Sequence, residues 1–387
     1  MDRRTLLRAL GGVSLGVSLA GCATQDNGTD DTDDGLDDGL DDETDDGATN
    51  VSDPDEDELE GTLWVATYSS MLEDENPAGV WIEEAFEEAY PEIELEWTVP
   101  DGDVNHYIQR AQQGVEIETD VYLGLNVDDL VRIDDTLDEQ LFVSLERDRL
   151  GRIDRIREDP SVEFGDPADR VVPYDTGYIS LVYDETEVPE PTSFEDLTGP
   201  DFEDALLIQN AQYSDPGQAF LLWTIAEFGE DGYLEYWEAL LENGVSDRDD
   251  WWSSYLAYLE EERPMVVSYS TDQVYAVADG HDLSRHQVGF LDGQGYANPE
   301  GVGIFTDSEK ADLAYAFIDF LLSSEAQAEI ATRNVQFPAV ADEYVDLDES
   351  FTDYAFEPEE PVALGYDDLS GNLDEWVDDW ARLLATQ

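Results

Sequence analysis

Apolar and polar positions change period along this chain, and each change marks a new element. Residues 62–67 form a short, nearly continuous apolar run, the pattern of a buried strand. Over 78–89, Val80, Trp81, Ala85, Phe86 and Ala89 recur at helical spacing. Residues 93–97 alternate, with Ile93, Leu95 and Trp97 separated by glutamates, as a half-buried strand does. A helix is expected over 104–113, a strand over 120–125 and a helix from Asp128. Beyond Pro173 the rhythm continues, with strands expected over 178–183, 206–208, 265–269 and 302–305. Helices are expected over 217–228, 233–241, 252–259, 311–322, 325–331 and 373–384. Strands alternating with helices predict an α/β fold on a parallel sheet. About 330 residues of this pattern exceed one usual core, so two lobes with a ligand cleft between them are expected.

Charge changes the picture of the surface. The 387 residues carry 97 Asp and Glu against 17 Lys and Arg, a formal net charge of −80. Hydrophobic residues still make up 41 %, so the acid coats a chain with a large core. Nucleic acid is excluded as a partner, because phosphate binding needs basic side chains. The balance resembles that of proteins from extreme halophiles and implies a haloarchaeal source. At ~1 M salt the Debye length is about 3 Å, which screens the self-repulsion of such a surface.

The first 22 residues differ from the rest. Arg3 and Arg4 precede an apolar run from Leu6 to Leu19 that ends in Ala20, Gly21 and Cys22. This resembles a twin-arginine export signal closed by a lipobox, with Cys22 as the lipid-bearing anchor. The run is shorter than the ~20 apolar residues of a span. Cys22 is also the only cysteine, so it has no internal disulfide partner. Residues 23–60 hold acid, Gly, Thr and Ser with no Lys or Arg, the composition of an extended tether. An exported chain held on the outer face of the cytoplasmic membrane is expected.

Enzyme signatures are missing from the sequence. There is no H-E-x-x-H, G-x-S-x-G, Walker A or G-x-G-x-x-G pattern. The three histidines are His106, His281 and His286; the last two are five apart in a polar loop. No catalytic residue, cofactor or metal ligand is assigned, and an exported hydrolase has no motif behind it.

Several segments together resemble one family. In order they are Thr67 to Ser70, Asp101 with Gly102, residues 120–125, residues 172–178, Ser214 to Gly217, and Trp251. Then come Ser268 to Thr271 with Tyr275, Asn334, and Phe337 with Pro338. The set is similar to the thiamine-binding lipoproteins and periplasmic proteins of thiamine ABC importers, over about residues 61–385. The wider class is the type II solute-binding proteins, which includes ferric-iron and polyamine binders. The resemblance implies two α/β lobes around a cleft, joined by two crossing strands. Lobe 1 would be 61–174 with 297–387, and lobe 2 would be 175–296. It also implies a monomer that takes thiamine or a related small molecule and works with an ABC permease and ATPase. Ferric iron or a polyamine is the alternative cargo.

The resemblance and the chemistry of a thiazolium cation together nominate site residues. Cation–π contacts contribute ~0.5–2 kcal/mol and survive salt. Trp251, Tyr269 and Tyr275 match the family's aromatic contact positions. Tyr68 stands at the carboxyl end of the first strand, where ligands of open α/β sheets bind. Asp101 and Gly102 form a turn open to close approach, and Ser214 opens a helix. Asp175, Tyr296 and Glu300 stand near the expected crossings. Trp252 and Tyr255 read as packing residues. Two positions depart from the family. Asp215 stands where a Ser or Thr commonly precedes Pro216, and its charge opposes a phosphate. Val335 stands where some members carry a stacking tryptophan, for which Trp81, Tyr296 or Phe337 would have to compensate.

Overall fold

The computed structural model describes residues 59–73 and 76–386. The export signal, Cys22 and most of the acidic tether lie outside the described residues.

Among the described residues eleven strands form one sheet. They are β1 (Gly61–Ala66), β2 (Ile93–Thr98), β3 (Val121–Leu125), β4 (Val172–Tyr183), β5 (Leu206–Gln209) and β6 (Ser246–Arg248). Then follow β7 (Met265–Tyr269), β8 (Gln287–Gly289), β9 (Gln294–Ile304), β10 (Phe337–Pro338) and β11 (Glu360–Val362). The main order is β2-β1-β3-β9-β4-β7-β5-β6. The longer helices are α1 (Ala78–Ala89), α2 (Val104–Gln112), α3 (Val127–Thr136), α4 (Asp215–Phe228) and α5 (Tyr233–Glu242). They continue with α6 (Trp251–Leu259), α7 (Asp272–Asp279), α8 (Ala311–Leu321), α9 (Ser324–Asn334) and α10 (Leu373–Leu384). Among the described residues no helix is long and apolar enough to cross a membrane.

The outer strands are parallel, β1 with β2 and β3 on one side and β5 with β6 and β7 on the other. The expectation of a parallel sheet holds only there. The centre is antiparallel, because β4 pairs with β9 along its first half and with β7 along its second. Every residue of β4 is buried. The fold is therefore a two-lobed α/β architecture with β4 and β9 as long strands shared by both halves. In α1 the buried stripe is Ala78, Gly79, Ile82 and Phe86, while Val80 is exposed. Phe86 meets Phe317 of α8 edge-on at 5.3 Å, and that contact sets the rotation of the helix.

Alternation along the central strands sorts the interior. Ile179, Leu181 and Tyr183 of β4, with Met265 and Val267 of β7, join the large core beneath α4 and α5. Val182 and Val266 face the other way, into a smaller cluster with Tyr255 and Tyr258 of α6. Successive side chains of a strand point to opposite faces, so neighbours in sequence part company here.

Candidate functional site

The site lies where β4 and β9 run side by side. Their register sets Asp175 opposite Glu300, Gly177 opposite Asn298 and Ile179 opposite Tyr296. Period-two alternation puts these six on one face. β10 continues the row, since Phe337 pairs with Thr176 and Pro338 with Asp175, which brings Gln336 beside Gly177. Tyr269 arrives from β7, opposite Ile179. Gly177 is the floor. A Cβ there would stand 2.8 Å from Cδ1 of Tyr269 and collide with the amide oxygen of Gln336.

Two bulges aim the neighbouring phenols. The register of β4 with β9 slips between Pro173 and Asp175, and that of β3 with β9 slips between Leu123 and Leu125. Bulges redirect side chains at such places. Gly124, at φ +110°, lets the Tyr68 ring lie over the backbone; its Cβ would be 2.6 Å from that ring. Tyr68 donates to Glu300 Oε2 at 2.7 Å, and Tyr174 donates to the same oxygen. The two phenol oxygens are 3.4 Å apart. Asn334, the last residue of α9, donates to Tyr68 Oη and to Asp175 Oδ2, each at 2.9 Å.

Helix starts bring more acid. Asp215 opens α4, and its Oδ2 accepts from Asn298 at 2.8 Å. Asp128 and Asp129 lie in the first turn of α3. Arg132 binds both of them and reaches Gln218 of α4 at 3.3 Å, tying the two helices together. A small, largely enclosed cavity of about 10 Å³ lies beside the floor, lined by Asp128, Asp215, Gln218, Tyr296 and Asn298 among others.

The electrostatics are one-sided. Burial, reinforced by Glu300, raises Asp175 well above the usual carboxylate range. Burial with the charges of Asp128 and Glu300 does the same to Asp215. Burial also raises Glu300, against the bonds from Tyr174 and Tyr68. Asp129 is pushed up to about 7 by burial and by Asp128. Burial and these acids hold the Tyr68 and Tyr269 hydroxyls in the neutral form. Among the described residues no basic side chain is bonded to Asp175, Glu300 or Asp215. A cavity of this kind favours a cation and disfavours an anion.

Of the residues nominated from sequence, Tyr68, Asp175, Glu300, Tyr269 and Tyr296 meet at this floor, with buried Ser214 at the start of α4 beside it. Trp251 and Tyr275 do not join them. Trp251 donates to Ser268 Oγ at 3.1 Å and stacks on Tyr255 at 4.8 Å. Tyr275 lies edge-on to Tyr255 at 6.0 Å. Ser268 faces away from Tyr269, so β7 divides the expected aromatic box in two. Asp101 and Gly102 are exposed, and nothing lies within 4 Å of a Cβ on Gly102. The acid of that turn within electrostatic reach of Asp129 is Asp103 instead. Trp81 stacks toward Phe320, and Phe337 packs on Tyr178 and Phe351, so neither replaces the missing tryptophan; Tyr296 does line the cleft. Sequence reading gave no site role to Gly177, Asn298, Gln336 or Tyr174. In β9, Gln294, Asn298 and Glu300 stand at alternating positions, and that period was the signal available for Asn298.

Two lobes, two shared strands and a polar floor between them define a solute-binding protein. The chain belongs to the bacterial extracellular solute-binding proteins, whose family model matches residues 132–369. Among curated relatives, the thiamine-binding periplasmic protein of Salmonella typhimurium is 27 % identical over 325 residues, 84 % of this chain and 93 % of that one. The thiamine-binding periplasmic protein of Haemophilus influenzae is 23 % identical over 313 residues, 79 % of this chain and 88 % of that one. Among solved structures, a periplasmic thiamin binding protein matches with a TM-score of 0.70 at 24 % identity, covering 84 % of this chain and 97 % of its own. The ferric binding protein from Campylobacter jejuni matches with a TM-score of 0.66 at 17 % identity, covering 83 % and 99 %.

Proposed function

We propose that this chain is the binding component of an ABC importer and that its cargo is thiamine. The observation that carries the reading is the floor itself. Asp175, Glu300 and Asp215 converge without a bonded basic partner among the described residues, and the rings of Tyr68 and Tyr269 border them. A thiazolium cation supplies the missing charge, and aromatic faces hold it at ~0.5–2 kcal/mol each in salt that abolishes long-range steering. The thiamine-binding relatives support the same cargo. The protein captures the cation between its lobes, closes, and delivers it to a permease driven by an ATPase; it hydrolyses nothing itself. Lobe 1 comprises 61–174 with 297–387, lobe 2 comprises 175–296, and the protein works as a monomer. Lipidated Cys22 and the acidic tether hold it at the outer face of a haloarchaeal cytoplasmic membrane.

Asp215 makes free thiamine the preferred form. Helix N-termini attract phosphate through free backbone N–H groups. Here a buried acid occupies the first turn of α4, with Asp128 across the cavity, so a phosphoryl group would meet two acidic side chains in place of free N–H groups.

One observation favours a second reading. Tyr68 and Tyr174, far apart in sequence, put two phenol oxygens on one carboxylate, an arrangement suited to ferric iron once the phenols ionise. Burial and the neighbouring acids oppose that ionisation.

The test is a titration in molar salt with thiamine, thiamine monophosphate, thiamine diphosphate, Fe³⁺ and putrescine, read by tryptophan fluorescence and melting temperature. Thiamine at a hundredfold over its Kd should stabilise the fold by ~2.7 kcal/mol, with the phosphates weaker. Stabilisation by Fe³⁺ or putrescine alone would keep the class and remove the vitamin. A preference for the diphosphate would refute the role given to Asp215.

A further inference from the structure

Two buried acceptors at the floor have no partner. Asp175 is fully buried; its Oδ2 takes the bond from Asn334, while its Oδ1 receives none. Gln336 is 8 % exposed, and its Oε1 is likewise buried and unbonded. Unpaired buried oxygens are costly unless a ligand satisfies them. Both belong to one patch, since Gln336 sits over Gly177 and Asp175 is the next residue of β4 on that face.

The chain takes trouble to hold them there. Val335 lies between Asn334 and Gln336 in the left-handed region, at φ 56° and ψ 45°. A β-branched residue in that conformation is strained, and such strain collects at ligand sites. The turn ends α9 so that Asn334 locks Asp175 and Tyr68 while Gln336, two residues on, reaches Gly177. The Tyr269 ring rests on the same glycine, which sets one aromatic wall beside the two oxygens.

We propose that Gln336 and Asp175 read an exocyclic amino group on a flat ring of the ligand, each oxygen accepting one of its two N–H bonds. This rests on the thiamine reading and adds to it the residues that select the aminopyrimidine half. The two oxygens replace, by hydrogen bonding, the stacking that Val335 cannot provide. An oxo group in place of the amino group would set an acceptor against the Gln336 oxygen. Sites built to bond a donor reject analogues that lack it far more strongly than apolar pockets reject a missing methylene.

The experiment compares thiamine with oxythiamine, whose exocyclic amino group is replaced by oxo, by calorimetry in molar salt. It uses the parent protein, Gln336→Leu and Gln336→Glu. The parent should bind thiamine at least ~30-fold more tightly than oxythiamine. Gln336→Leu should lose ~10-fold for thiamine and bring the ratio down to a few-fold, while Gln336→Glu, which keeps an acceptor, should retain the preference. An unchanged ratio in Gln336→Leu, or no preference in the parent, overturns the inference and leaves thiamine as cargo. No thiamine binding by the parent overturns both. Should Gln336→Leu melt early, the parent ratio and Gln336→Glu still decide the matter, because loss of preference in the glutamate variant contradicts acceptor reading.

Discussion

Ser268 and Tyr269 are neighbours in sequence and belong to two different chemistries. On the face of β7 that Ser268 shares, Trp251, Tyr255, Tyr258 and Tyr275 pack ring against ring. On the face that Tyr269 shares, aromatic rings border carboxylates that lack a cation. Both regions are rich in tyrosine, and composition cannot separate them. What separates them is the crowding of acid, for the Tyr255 hydroxyl of the first cluster is also buried and unbonded. The first cluster buries apolar area at ~25 cal/mol per Å² and packs α6 against β4, β5 and β7. The second leaves acceptors unbonded and acids crowded, which costs stability and prepares a site.

The largest effect that would break this comparison is at Gly177. Gly177→Val should lower thiamine affinity by more than ~100-fold, because the side chain would fill the space where Tyr269 and Gln336 lie. Calorimetry on a variant whose circular dichroism matches the parent checks it. Affinity within threefold of the parent would move the site off the crossing strands.

Next comes an exchange of roles between the two faces. Tyr269→Ala should lose about 10–30-fold in affinity with a small change in melting temperature. Tyr255→Ala, at a fully buried ring, should cost ~3–5 kcal/mol of stability and leave affinity within a few-fold. Trp251→Ala should follow Tyr255 rather than Tyr269. If Trp251→Ala instead weakens binding as much as Tyr269→Ala, the division at β7 is not functional.

Titration sharpens the contrast further. Asp129, raised to about 7, with Asp175, Asp215 and Glu300, also raised, bind more protons in the folded state than in the unfolded one. A raised carboxyl adds stability below the unfolded value, ~3.9–4.3, and loses it as pH rises through the folded value. Without ligand the protein should therefore lose stability between pH ~4 and 7. A bound cation lowers these values, so thiamine affinity should rise over the same interval. Asp215→Asn should raise the ligand-free melting temperature at pH 7 and weaken thiamine about tenfold. A lower melting temperature for that variant would mean that Asp215 serves the fold and not the cation.

Much of the alternation was legible in the sequence, because strands and helices each leave a period. The antiparallel centre was not. It depends on which strands meet, and β4 and β9 pair across more than a hundred residues. The site was legible by residue type at Tyr68, Asp175, Glu300 and Tyr269. Their grouping was not, since it needs the register that faces Asp175 with Glu300 and the two bulges that turn Tyr68 and Tyr174 inward. Gly177 and Gln336 received no role because one acts by having no side chain and the other by standing opposite it.

Val335 offers the smallest effect and the finest test. Its left-handed backbone carries strain that glycine would relieve, by about 1 kcal/mol. Its side chain packs only partly, against the cluster of Tyr178 and Phe337, so little apolar contact is lost. Val335→Gly should thus match or slightly exceed the parent in melting temperature. The same change frees the turn that holds Asn334 and Gln336, and affinity should fall about threefold to tenfold through ordering entropy. Stability and affinity moving in opposite directions at a residue that touches no cation would show that the strain serves the floor. A rise in both would show that it serves nothing.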